Sequence, residues 1–405
     1  MRAESRCPVI DLVEMNGDPS PWAAYDEIRA SGGIAYGEKY GGYWALIDYA
    51  TVRKAAVDTA SFCSKGGIGI PDIGNAVPAL PTESDPPEHH QYRKPLIPPL
   101  RPDAVAVWTE QIRAITDEAI DTFVEHGTAD LVTELAQVVP PAVIGKVLGL
   151  ADADVPAFVH WSRELLRAPS TGDAEAGEAA DAELLRLLDE QVTKARGSGA
   201  DHLIGMVADA EIDGAPIDHM SAVGIVLALV VAGHSTTVNA ISSALWLLDS
   251  HPEVTQRLIE HPDRIPAAVE EILRFESPVQ VMARTVTEDT DIDGVRLRAG
   301  DRVGLVFGAA NHDPARFENP HTFDIDRPTN PHLAFGHGIH RCVGEHLARL
   351  ELRIVLEQVL RRLPDYRVTG DVPTGDGTTI ARSPATLTVS FTPGPRTHPA
   401  TTPVW

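Results

Sequence analysis

Phe335-Gly336-His337-Gly338-Ile339-His340-Arg341-Cys342-Val343-Gly344 ends in a lone cysteine, and an apolar-periodic helix follows at Leu347, Leu350, Ile354, Val355 and Val359. A cysteine just ahead of a helix N-terminus meets backbone N–H donors and the positive end of the helix dipole. Both favour the thiolate. Glycines around it let the backbone bend and let a flat ligand come close.

A thiolate held this way can be an axial ligand to haem iron. A solitary cysteine is more often a small buried hydrophobe, and His337, His340 and Cys342 are close enough in sequence to raise zinc. Structural zinc takes four ligands in paired clusters. Cys7 and Cys63 have no partner at metal spacing, so zinc ranks below haem.

The rest of the chain bounds the reading. Its 405 residues allow a large core, and no Gly/Ser linker, repeat or long charge block divides it. One large domain over 1–392 is expected, with a Pro/Thr-rich tail at 393–405 that should fray. With 34 basic and 58 acidic residues the net charge is −24. That disfavours nucleic acid, whose binding neutralises phosphates. Three cysteines give no disulfide framework and fit a reducing cytoplasm. Met1 to Pro21 is polar and has no signal-peptide core. The apolar run Ala222 to Ala232 is too short to span a bilayer, so no membrane anchor is expected.

Most elements read as helices. They are placed at Pro21–Ala30, Thr51–Ala56, Val105–Val124, Leu131–Leu148, Val155–Arg167 and Ala180–Ala195. A Gly-, Ala- and acid-rich stretch, Pro169 to Ala180, should be mobile between the last two. Ile217 to Leu248 is the longest helical pattern, with Asp218 as N-cap. In its middle stands Ala232-Gly233-His234-Ser235-Thr236-Thr237. Glycine lowers helix propensity and buried hydroxyls need partners. The hydroxyls can bond the carbonyl four residues back, or the helix can widen to leave room for dioxygen. His89 and Arg93 share one face of a helix begun by Pro86-Pro87. Glu271 and Arg274 stand one turn apart. Strands are expected at Ile34–Ile47, after Pro278, within Ile292–Val306, and at Tyr366–Val368 and Leu387–Phe391.

These pieces, in this order, resemble the cytochrome P450 family. Phe335, Gly338, Cys342 and Gly344 hold the fixed places of its haem-binding signature, Phe-x-x-Gly-x-x-x-Cys-x-Gly. Ala232, Gly233, Thr236 and Thr237 match its oxygen-activation motif. Ser235 departs from it, since the family has Asp or Glu there. A hydroxyl relays a proton but stores none near neutral pH.

The resemblance covers about Asp85 to Phe391. It implies a mainly α fold with small β-sheets at one side and haem b ligated by Cys342. The propionates would be held by His89, Arg93, Arg284 and His340, and distal protons handled by Thr236 with Ser235. Val279, Val281 and Met282 become candidate pocket walls. Glu271, Arg274 and Arg327 become a structural triad. The implied activity is a soluble bacterial monooxygenase that uses dioxygen on an apolar organic substrate, such as a terpenoid, steroid, polyketide-like product or small aromatic. The chain carries no flavin or iron–sulfur motif, so electrons should come from a separate ferredoxin and ferredoxin reductase. Arg341, Arg349 and Arg353 are candidates to attract the ferredoxin. The rival readings are a peroxide-driven haem peroxygenase and a haem-binding protein without oxygenase activity.

Overall fold

The computed structural model describes residues 7–71, 77–151, 153–161, 174–375 and 378–398. It is mainly helical, with small separate sheets. Contacts gather the chain into two compact units, each built from separated segments. One comprises residues 1–90, 270–342 and 374–383; the other comprises 91–269, 343–373 and 384–405.

The first unit is built on a five-stranded sheet. Its strand order is Ile34–Gly37, Tyr43–Leu46, Arg302–Val306, Val281–Val286, Phe62–Cys63. The first two strands form a hairpin that turns at Gly41-Gly42, with Ala35 opposite Ala45. Tyr40, Gly41 and Gly42 all have positive φ, which glycine supplies at no steric cost. Side chains alternate across the sheet. Tyr43, Ala45, Val281 and Ala283 join one apolar cluster, while Trp44, Leu46, Val303 and Leu305 join another.

The second unit is built on the helix His219–Ser250. Asp218 caps it, its side chain accepting from Ser221 N at 2.9 Å. The helix is long and apolar enough to cross a membrane by composition. Its surroundings are those of a core helix: it packs against Val139–Leu148, Ala174–Ala195, Leu203–Ala208 and Glu345–Arg362. A three-stranded sheet joins Arg367–Val368, Thr388–Ser390 and Thr128–Asp130.

Several boundaries differ from expectation. The helix over 105–124 is two, Pro102–Ala106 and Thr109–Asp121. The seam falls at Val107, which is off the buried stripe of Val105, Ile112 and Ile115 and points to solvent. The stretch over 131–148 opens with a π-helical turn, Val132–Ala136, before the α-helix Val139–Leu148. Pro140 and Pro141 sit in the first turn of that helix, where a missing N–H costs nothing. The segment expected to be mobile is helical from Ala174 onward. Its alanines and glutamates outweigh one glycine. Residues 169–173 lie outside the described residues. The tail does not fray at its start: Gly394 N donates to Val124 O at 3.0 Å, and the N–H groups of Thr397 and His398 each donate to Asp121 at 2.9 Å.

Candidate active site

The cysteine loop is folded tightly. Gly336 N donates to Leu333 O at 2.8 Å, Arg341 N to Gly338 O at 3.1 Å, and Cys342 N to Phe335 O at 2.9 Å. A 3-10 turn spans Gly338–His340. Gly338 has φ +73°, and a Cβ there would fall 2.7 Å from Ala56 O. No other residue fits that place without moving backbone. Gly344 is the N-cap of the helix Glu345–Arg362, so Cys342 stands two residues ahead of it. The Cys342 side chain is exposed. His337 accepts from Arg53 Nε at 3.1 Å. Burial first, then the charges of Arg53 and Arg341, push its imidazole below the usual range.

Around His340 of this loop stand several side chains with N–H or cationic groups. The His89 and His340 rings meet edge to face, 4.5 Å apart. His89 is buried, and its helix Glu88–Arg93 also carries Arg93, half-buried and one turn on. Ser64 Oγ is 3.0 Å from His340 Nε2. Arg284 is 5% exposed. Its Nη1 donates to Ala283 O at 2.7 Å, and no carboxylate among the described residues pairs with it. Desolvation pushes its guanidinium down to about 10, although the charge of Asp85 opposes this. A buried cation without a counter-ion is costly, and the cost is met when an anionic ligand binds. An exposed thiol, a buried imidazole and a buried guanidinium make up the donor set that a dicarboxylate iron macrocycle needs. The residues present therefore fit haem.

Beneath the loop, Glu271 and Arg274 form a fully buried pair. Arg274 Nε and Nη2 each lie 2.8 Å from a Glu271 oxygen. Arg327 Nε adds a contact at 3.2 Å. Asn330 Nδ2 donates at 3.0 Å and Asp324 N at 2.9 Å. Arg274 also donates to the carbonyls of Asn311, Pro320 and Thr322. Asn311 then accepts from Leu333 N at 2.6 Å through its Oδ1, so the triad braces the base of the cysteine loop. The sequence reading missed Asn311, Asn330, Ser64 and Asp85. A polar Asn311-His312-Asp313 directly after the apolar run Val303–Ala310 was the available signal for the first.

In the second unit, the motif around Thr236 is continuous α-helix. Of the two readings open for the hydroxyls, the structure shows the first: each serves the carbonyl four residues back. Ser235 Oγ donates to Val231 O and Thr236 Oγ1 to Ala232 O, both at 2.8 Å; Thr237 Oγ1 donates to Gly233 O at 3.3 Å. This is the ordinary behaviour of such hydroxyls in helices. One turn earlier, Val231 is 40% exposed, and Ala232 beside it is exposed too. Nothing in the apolar run had singled it out. Of the expected pocket walls, Val281 is placed elsewhere: it is 1% exposed, inside the apolar cluster with Ile10, Leu12 and Val306. Met282, next along the strand, faces the other way and is half-buried against the other cluster; Val279, ahead of the strand, is half-buried against that cluster as well.

Residues 183–374 match the family model described as Cytochrome P450. The chain is 33% identical over 401 residues to the Steroid C26-monooxygenase of Mycolicibacterium smegmatis, covering 95% of this chain and 97% of that one. The solved structure of cytochrome P450 CYP109Q5 from Chondromyces apiculatus is similar with TM-score 0.86 and 30% identity, covering 95% of this chain and 99% of that one. CYP109E1 from Bacillus megaterium in complex with testosterone is similar with TM-score 0.82 and 28% identity, covering 92% of this chain and 99% of that one. Fold, cysteine loop and full-length similarity agree, and the chain belongs to the cytochrome P450 family.

Proposed function

We propose that the chain hydroxylates an apolar, steroid-sized substrate, with electrons from a separate ferredoxin and its reductase. Membership makes it an oxidoreductase of the monooxygenase type that binds haem b. The observation that carries the residue-level reading is the braced loop that holds Cys342 exposed, in a unit that also buries Arg284 with no carboxylate paired to it among the described residues. Cys342 would hold the haem iron through its thiolate. His89, Arg93, Arg284 and His340 take the two propionates, and Phe335, Gly338 and Gly344 shape the loop. Haem bound through a thiolate supplies the oxygen activation.

The chain's own residues do the rest. Thr236 and Ser235 move protons after turning from the carbonyls of Ala232 and Val231, and each forfeits one hydrogen bond to do so. Val279 and Met282, half-buried aliphatic side chains of the first unit, suit an apolar guest, with no charge to satisfy. The names of the Mycolicibacterium relative and of the testosterone complex support a steroid-like guest.

For partner docking, Arg349 pairs with Glu345 at 2.8 Å and Arg353 with Glu357 at 3.5 Å on their own helix. Part of their charge is spent locally. Reversing Arg341, Arg349 and Arg353 together should slow reduction by an acidic ferredoxin, more so at low salt. Unchanged reduction rates would remove this assignment.

The decisive test is spectroscopic. Reduced protein given carbon monoxide should show the red-shifted band of thiolate ligation, and Cys342→Ala should lose it. Wild type without the band sinks the reading. Steroids should also shift the iron spin state. Peroxide-driven turnover is the second reading, favoured by the missing acid at Ser235. Activity with peroxide but none with ferredoxin, reductase and dioxygen would select it.

A further inference from the structure

We propose that Ser64 is a positioning residue for the cofactor's carboxylates. Its hydroxyl donates to Nε2 of His340, so that Nδ1 carries the proton and serves as an N–H donor toward an anion. The inference rests on the haem reading above and deepens it.

Ser64 is 0% exposed and follows the strand Phe62–Cys63. Its backbone is fixed from several sides. Cys63 pairs with Thr285 in the sheet. Ser64 N donates to both oxygens of Asp85, at 2.9 and 3.1 Å, and Lys65 N donates to the same carboxylate at 3.0 Å. Arg302 Nη1 donates to Gly66 O and to Thr285 Oγ1, both at 2.7 Å. Only the hydroxyl rotor remains, and it meets His340 Nε2 at 3.0 Å. Asp85 also sets the neighbouring helix, since its carbonyl accepts from His89 N at 3.0 Å. One aspartate thus places both Ser64 and the helix that brings His89 against His340.

The residue type matters. A neutral imidazole has one N–H and one lone pair. A carboxylate facing Nε2 accepts only, so it would draw the proton there and leave Nδ1 as a lone pair that repels an anion. A hydroxyl can donate. With Ser64 donating, Nε2 takes the lone pair and Nδ1 keeps its N–H. Arg284 supplies charge to the same cradle, and the histidine edge supplies direction.

The test follows haem transfer from holoenzyme to excess apomyoglobin. Wild type, Ser64→Ala and Ser64→Thr are each loaded once with haem and once with haem dimethyl ester, which lacks the carboxylates. Ser64→Ala should release haem about tenfold faster than wild type, the effect of one lost hydrogen bond to a charged partner. Ser64→Thr should stay close to wild type. With the ester, all three should release alike. Equal haem release by wild type and Ser64→Ala overturns the proposal, and so does an excess that persists with the ester. If Ser64→Ala does not accumulate folded, Ser64→Cys, whose thiol donates poorly, replaces it under the same two expectations. The carbon monoxide spectrum separates the failures. Loss of the thiolate band in wild type removes the haem reading, whereas a normal band with equal release removes only the role of Ser64.

Discussion

Removing the Glu271 carboxylate is the sharpest structural perturbation available. Both its oxygens are buried and accept from Arg274, Arg327, Asn330 and the backbone of Asp324. In Glu271→Ala, Arg274 remains at 0% exposure without its counter-ion. Breaking one side of a buried pair costs about 3–5 kcal/mol. A protein's whole stability is about 5–15 kcal/mol, so the variant should be marginal. The second step discriminates. Buried pairs can often be exchanged for apolar side chains without loss. Here Arg274 also satisfies the carbonyls of Asn311, Pro320 and Thr322. Each stranded carbonyl costs about 1–3 kcal/mol. Glu271→Leu/Arg274→Met should therefore be no more stable than Glu271→Ala. Urea midpoints from circular dichroism, read beside retention of bound haem, measure both. A loss under about 1 kcal/mol for Glu271→Ala, or wild-type stability in the double variant, refutes this account.

Other outcomes follow from single side chains. Glu351 is 1% exposed, and burial alone pushes its carboxyl well above the usual range. The folded state then keeps a proton that the unfolded chain loses above about pH 4, so stability falls as pH rises from there. Glu351→Gln should flatten the dependence of the urea midpoint between about pH 5 and 8, and an unchanged slope counts against it. Burial pushes the Asp121 carboxyl up, but the N–H groups of Thr397 and His398 and the guanidinium of Arg362 outweigh this and hold it at about 2. Its contribution is present above about pH 4 and lost as the pH falls toward 2. Asp121→Asn should release the tail and speed proteolysis after Phe391, which mass spectrometry detects. Ser235→Asp should lower peroxide released per reducing equivalent consumed, and Thr236→Ala should raise it several-fold, about the effect of one lost proton-transfer partner. Equal coupling in both variants argues against proton handling at these positions.

Much of the site was legible because its chemistry is carried by residue types that are costly elsewhere. A cysteine among glycines, a buried Glu-x-x-Arg and consecutive hydroxyls in an apolar helix each demand a partner or a ligand. The same holds for the long helix, where the apolar run and the Asp218 cap both act locally. What sequence conceals is direction. Val281 and Met282 are neighbours, yet one enters a core cluster and the other faces away, because strand parity depends on which sheet face is buried. The hydroxyls at 235 and 236 had two outcomes, and backbone carbonyls took them.

The two units were concealed for a different reason. Each is assembled from segments far apart in the chain, so no linker marks the division. Asp85 and Ser64 belong to the same class of concealed information. Neither is unusual by type. Their meaning comes from a contact 276 residues away, Ser64 to His340. Local propensity reports what a segment can form. It does not report which distant atom a buried hydroxyl must satisfy, and here that atom belongs to the histidine two residues before Cys342.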